Sequence, residues 1–352
     1  MTPRERWRAV LDRRKPDRVP TDYWATPEVT SRLKRELGCQ DDWTLWQRLP
    51  TDKLVQLSPR YVGPADRSSS ANIWGVRFRQ VSYADGAGVY QEVCSHPLAH
   101  VTDPRQLDGY RWPSPDWFDF SDLPDRVDQV LRRGHPVAVG HYEPFLLYCQ
   151  LRGMEQAMLD LAERPELVEA VLERIFHFHY AMNLRAFESV GPGRIDVTYV
   201  AEDLGTQQSL LMSQAMVRRF LMPRMQRMIE LAHQFGIRAF HHSDGAIRPL
   251  IAGMIAIGID VLNPIQWRCA GMDRAALKRD FGDQLVFHGA MDNQQTLPFG
   301  TPQQVRHEVI ENLQILGAGG GYILAPCHNL QPITPTQNIL TMYAAAAGEG
   351  RL

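Results

Sequence analysis

The residues best suited to chemistry lie in "AFHHSDGAIRPL", residues 239–250, where His241, His242 and Asp244 follow an apolar run and precede Gly245. Imidazoles and carboxylates move protons near neutral pH and ligate metal ions. The same residue types also end strands and start helices, and Asp is a good helix cap. Five more stretches carry such groups after apolar runs. They are "GHYEP" (His141, Tyr142, Glu143), "TYVAEDLG" (Tyr199, Glu202, Asp203), "NPIQW" (Asn263, Gln266), "FHGAMD" (His288, Asp292) and "APCHN" (Cys327, His328, Asn329). Plain capping would use Ser, Thr and Gly as often, so a row of His, Glu and Asp at successive ends argues for one shared site.

The elements that must position these groups follow from periodicity. Thr2-Pro3 caps a helix over "RERWRAVLDR", and "RVPTDYW" reads as a first strand. A helix runs through "EVTSRLKRELG", and a strand is expected near "DKLVQLSPRY". Residues 70–100 alternate apolar and polar around "ADGAG", the pattern of an antiparallel hairpin. Residues 101–120 are rich in Pro, Trp and Asp and read as a loop. From about residue 122 onward, apolar strands and amphipathic helices alternate with short connections. That is the signature of a parallel sheet covered by helices. The count favours a closed (β/α)8 TIM barrel with an N-terminal helical extension and a small β-hairpin insertion, one domain over residues 1–352. No G-x-G-x-x-G follows any strand, so the dinucleotide-binding fingerprint is missing. In such barrels working residues sit at the C-terminal ends of strands, where these polar groups fall.

Composition limits the classes of function. A net charge of −2 argues against a nucleic-acid partner. The five cysteines are odd in number, widely spaced and never C-x-x-C, which fits reduced thiols in a cytoplasmic protein. Neither a secretory signal, a lipidation motif, nor an apolar run long enough for a membrane span is evident. "GAGGGY" precedes a strand and reads as a helix-ending turn rather than a phosphate cradle. "FHFHYAM" (His177, His179) reads as a packed or surface helix face. Arg152 in "LRG" is a candidate to pair with Glu143, to bind an anionic substrate group, or to form a structural ion pair. His241 should point away from His242, because strand neighbours alternate faces.

"FHHSDGAIRPLIAGMIAIGIDVLNPIQ" and the run from "LVFHGAMDNQQTLPFG" to "APCHNLQPITPTQNILTMYAA" resemble the uroporphyrinogen decarboxylase-like superfamily. The resemblance implies a (β/α)8 barrel, and a choice between true decarboxylases and zinc- and corrinoid-linked methyltransferases. The decarboxylases carry an arginine-rich clamp near the N-terminus. Here "VPTDYWATPE" has none, and offers Asp22 and Glu28. The methyltransferases carry H-x-C, which here becomes His242-Ser243-Asp244. Counting four residues back from the first proline of "PITP" places the family's later functional residue at His328, with Cys327 adjacent. The resemblance therefore implies a set of His242, Asp244 and His328, with Cys327 as an alternative ligand. Glu202 or Asp203 is expected to add a further oxygen ligand, and Glu202 is a candidate catalytic group. Such a set suits zinc or iron(II), or a metal-free acid–base network. Tyr199, Asp203, Glu143, Arg152, His288, Asn263 and Gln266 are the expected substrate contacts. The methyl-transfer branch implies a small O- or N-methylated substrate and a corrinoid acceptor on a partner protein, with a homodimer common in such barrels. The alternatives are a lyase acting on a small carboxylated substrate by His/Asp chemistry, and a non-catalytic binding barrel.

Overall fold

The computed structural model describes residues 1–64, 71–83 and 88–350. Its strands are β1 (Val55–Leu57), β2 (Arg60–Tyr61), β3 (Arg77–Tyr83), β4 (Gly88–Ser95), β5 (Phe118–Asp119), β6 (Val137–Tyr142), β7 (Val197–Val200), β8 (Arg238–His242), β9 (Val261–Asn263), β10 (Val286–Met291) and β11 (Tyr322–Pro326). Seven of them form one sheet in the order β1-β6-β7-β8-β9-β10-β11. All the pairings in it are parallel. Helices return the chain between successive strands, so the strands are buried on both faces and read as apolar runs.

The eighth position is filled by the chain at "PTD". Thr21 bridges Leu324 of β11 in parallel, and Asp52 N–H donates to the Thr21 carbonyl on the other side. The strand expected at "RVPTDYW" is thus a closing bridge. Pro20 has no N–H to give to a ladder. Carboxylates take over instead: Thr21 N–H donates to Asp52 Oδ2 at 3.0 Å and Leu54 N–H to Asp22 Oδ1 at 3.0 Å. The barrel is closed, and the architecture is the α/β TIM-barrel type.

The N-terminal helix Pro3–Leu11 starts on a Thr2/Glu5 capping box and seals the bottom of the barrel. Trp7 is fully buried in the barrel interior among Leu54, Ala138, Val197, Phe240 and Val286, and its Nε1 donates to the Asp52 carbonyl at 2.8 Å. Arg4 and Arg8 both reach Asp196, which sits before β7, so the plug is tied to the sheet by charge as well as packing.

Two parts of the outer structure differ in detail from the sequence pattern. The segment "DKLVQLSPRY" makes two strands, β1 and β2, split at Ser58-Pro59. Within residues 101–120, Phe118–Asp119 pairs antiparallel with β2. Strands β3 and β4 pair antiparallel across seven registered residue pairs. Residues 65–70, residues 84–87 of the "ADGAG" stretch, and residues 351–352 lie outside the described residues. The long helical stretch after β6 divides into Pro144–Arg152, Met154–Glu163 and Pro165–Val190. The first break falls at Gly153, whose φ of +88° favours glycine. Among the described residues, no helix is long and apolar enough to cross a membrane.

Candidate active site

The C-terminal ends of the strands open on a cavity of about 520 Å³. The turn after β8 is its most tightly built wall. Glu202 N–H donates to the His242 carbonyl at 2.9 Å, and Ala246 N–H donates to the Thr206 carbonyl at 2.8 Å. Leu204 N–H donates to Ser243 Oγ at 3.1 Å. Gly245 has φ +89°, and a Cβ there would lie 2.5 Å from the Gly205 carbonyl carbon. Only glycine fits this approach. The turn therefore presents His242 and Asp244 from a fixed backbone.

His242, Asp244 and His328 each offer one ligand atom, and these atoms lie within 4.8 Å of one another. His242 Nδ1 is 2.6 Å from Asn263 Oδ1, and its Nε2 is 3.6 Å from Asp203 Oδ1 and 3.9 Å from Asp244 Oδ1. Asp244 is held by Gln266, whose Nε2 donates to Oδ1 at 3.1 Å, and its own N–H donates to Asp203 Oδ1 at 2.9 Å. Burial pushes the Asp244 carboxyl up. His242 and His328 pull it down, Asp203 opposes them, and the net direction is upward.

The residues expected from sequence divide into three groups. His242, Asp244 and His328 meet, and Tyr199, Asp203 and Glu143 line the cavity beside them, Asp203 and Glu143 with carboxylates and Tyr199 with its ring. Asn263 and Gln266 stand one layer back and hold His242 and Asp244. The remaining four have other work. His288 is fully buried inside the barrel, bonded to Asn263 at 2.7 Å and Asp22 at 3.2 Å, and does not line the cavity. Arg152 is 2% exposed and bonds Asp160 Oδ2 at 2.7 Å and the Leu98 carbonyl, a structural ion pair rather than a substrate contact. Cys327 points to the Ile265 carbonyl at 3.4 Å and is outside the ligand group; burial pushes its thiol well up.

Glu202 is the fourth. Its carboxyl is buried at the start of helix Pro144–Arg152, accepting the N–H groups of Phe145 at 2.5 Å and Leu146 at 2.9 Å. Those are helix-terminal donors without an intrahelical partner. Burial and Glu143 push this carboxyl well above the usual range, against the pull of the two N–H groups. Glu202→Ala is expected to cost about 1–2 kcal/mol of stability, the size of a lost helix cap. Urea unfolding would measure it, and metal affinity should not move.

His241 lies on the opposite face from His242, fully buried, with Nδ1 2.6 Å from the Val200 carbonyl. Burial lowers its pKa to about 4, so the fold holds it neutral. The unfolded chain takes up that proton near pH 6.5, so stability present above pH 6.5 is lost as pH falls toward 4. The gap corresponds to about 3 kcal/mol. Unfolding free energies of wild type and His241→Phe should therefore converge as the pH is lowered through this window. A constant difference would contradict the buried neutral imidazole.

Sequence reasoning missed Trp24, Lys53, Tyr23 and Trp46, all on the cavity wall. Trp24 lies over His242 with ring centroids 5.8 Å apart, and its Nε1 donates to Asp22 Oδ2 at 2.7 Å. Lys53 Nζ is 3.7 Å from Asp22 Oδ1. The available signal was position: both follow or precede the segments that close the barrel. Among the described residues lining the cavity, Lys53 is the only lysine or arginine, against Asp42, Glu143 and Asp203. Lys34 neutralises Asp42 at 2.7 Å and Asp22 neutralises Lys53, which leaves the mouth acidic.

A (β/α)8 barrel with a His/carboxylate cluster at its C-terminal mouth is the class these observations define. Residues 98–348 match the uroporphyrinogen decarboxylase (URO-D) family, and the chain belongs to that family. A methyltransferase from Methanosarcina mazei has the same fold, with a TM-score of 0.70 at 19% identity over 99% of each chain. An L-ribulose 3-epimerase aligns with a TM-score of 0.42 at 13% identity, over 70% of this chain and 86% of its own. A GH113 β-1,4-mannanase aligns with a TM-score of 0.41 at 11% identity, over 93% of this chain and 99% of its own. The last two are too distant to carry an argument. No curated protein matches the sequence.

Proposed function

We propose that the chain is a metal-dependent methyltransferase. It would take a methyl group from a small O- or N-methylated compound without net negative charge and pass it to a corrinoid on a partner protein or to another acceptor. The observation that carries this reading is the convergence of His242, Asp244 and His328 within 4.8 Å at the open end of the barrel. Two imidazoles and a carboxylate suit zinc or iron(II) with positions left open for substrate, and are less thiophilic than a His-Cys-Cys set. When bound, the ion would act as a Lewis acid on the heteroatom that carries the methyl group.

The chain's own groups supply the rest. Trp24 and Tyr199 form an aromatic wall beside His242. The acidic mouth disfavours a carboxylated substrate, which weakens the lyase alternative. When the methyl carbon of an ether or an uncharged amine leaves for a nucleophilic acceptor, the C–heteroatom electron pair stays on the heteroatom, which becomes anionic and needs a proton. His141 Nε2, on the cavity wall and 3.3 Å from Glu143 Oε2, is placed to give it. The family membership and the methyltransferase that shares the fold support the reading.

The test supplies purified protein with methylated donors and free reduced corrinoid, and follows the visible spectrum of the corrinoid. Methylation that requires zinc or iron(II) and disappears in His242→Ala supports the proposal. Release of carbon dioxide from carboxylated compounds at a rate indifferent to chelator would replace it with Asp244/His328 acid–base cleavage.

A further inference from the structure

A continuous buried chain of hydrogen bonds runs from His242 to a carboxylate on the far side of the barrel. His242 Nδ1 is 2.6 Å from Asn263 Oδ1, and Asn263 Nδ2 is 2.7 Å from His288 Nδ1. His288 Nε2 is 3.2 Å from Asp22 Oδ2. Asn263, His288 and Asp22 are all fully buried. We infer that Asp22, acting through His288 and Asn263, holds the His242 imidazole in the tautomer with its proton on Nδ1, leaving the Nε2 lone pair toward Asp203 and Asp244.

The direction of every bond follows from one end. An ionised carboxylate only accepts. Asp22 takes the N–H groups of Tyr23 at 2.8 Å and Leu54 at 3.0 Å on Oδ1, and Trp24 Nε1 at 2.7 Å on Oδ2. Burial pushes its pKa up, but Lys53, His288 and the Leu54 N–H outweigh that and hold it at about 2. His288 Nε2 must then carry a proton. The His288 ring is enclosed by Trp7, Trp24 and Phe240, with centroids 5.9, 5.6 and 5.0 Å away. Burial lowers its pKa against the pull of Asp22, so the ring is neutral and Nδ1 is an acceptor. Asn263 must turn its NH₂ to that acceptor. Its oxygen therefore faces His242, and His242 must donate from Nδ1. Turning Asn263 over would set its oxygen against the His288 lone pair. Asp22 also grips Trp24 and Lys53 of the cavity wall, so one carboxylate positions both the wall and the imidazole.

This role rests on reading His242 as a ligand or base, but its first test does not. Metal-free protein labelled with ¹⁵N-histidine would give the His242 tautomer by long-range imidazole NMR, with the signal assigned by its loss in His242→Gln. The expected result, at alkaline pH where the ring is neutral, is protonated Nδ1 and bare Nε2. A neutral ring protonated on Nε2 overturns the inference. Asp22→Asn can present either oxygen or NH₂ to His288 and should mix both His242 tautomers. A single unchanged tautomer would remove Asp22 from the role.

Zinc alone is the second probe. Asn263→Leu should bind it about 10–100-fold more weakly, the usual scale for a partner of a metal ligand. Asn263→Asp still accepts from Nδ1 but sets its other oxygen against His288 Nδ1, so it should bind more weakly than wild type and clearly better than Asn263→Leu. Equal loss in both variants would mean a merely structural role. Wild type that takes up no zinc would defeat the metal reading while leaving the tautomer result standing.

Discussion

His328→Ala and His242→Ala are each expected to weaken zinc binding by more than about 100-fold, beyond the 10–100-fold typical of residues one layer behind a ligand. Each removes one of the three donors that converge within 4.8 Å and leaves only two to hold the ion. Asp244→Asn should lose less, because an amide oxygen can still face the ion but carries no charge. Cys327→Ser is the control. Its side chain bonds the Ile265 carbonyl and lies outside the ligand group, so zinc affinity should stay at the wild-type value. A competition titration with a coloured chelator reads all four. Loss of binding in Cys327→Ser with retention in His328→Ala would move the site one residue back and contradict the geometry.

The largest stability effect is expected at a residue that does not line the cavity. Asp160 is fully buried and accepts from Tyr148 Oη at 2.7 Å, Arg152 Nε at 2.7 Å, Gln156 Nε2 at 2.8 Å and Arg164 Nη1 at 2.9 Å. Asp160→Ala would leave the buried Arg152 guanidinium without its counter-charge. Breaking a buried pair from one side typically costs about 3–5 kcal/mol. Urea unfolding would show this loss, and the Tyr148 hydroxyl adds a second stranded group. Because Arg152 does not reach the cavity, KM for any methyl donor should be unchanged in variants that remain folded. A KM effect with little loss of stability would restore Arg152 to the substrate site.

The barrel was legible because parallel strands buried on both faces are short apolar runs, and the helices between them keep a helical period. The site was half legible for a related reason. Three strand ends carry two consecutive candidate residues, and only one of each pair reaches the cavity, as alternation requires along a strand. His242 faces in and His241 out, Asp203 in and Glu202 to a helix start, His328 in and Cys327 to the Ile265 carbonyl. Sequence types alone rank both members of each pair equally. Trp24, Lys53 and the role of Asp22 escaped for another reason. They lie at two segments that read as strands, but the barrel closes there largely through side-chain carboxylates, so the facing of their side chains does not follow from strand alternation. The bond from Asn263 to His288 joins residues 25 apart, and that from His288 to Asp22 joins residues 266 apart, so no local pattern announces the chain behind His242.

The most direct measurement is the metal content of purified wild type beside the His242→Ala, His328→Ala double variant, after incubation with zinc or iron(II) and removal of free ion. The account predicts about one ion per chain in wild type and none in the double variant. Equal content in the two proteins, or no metal in either, would contradict a His/Asp/His metal centre and with it the proposed chemistry.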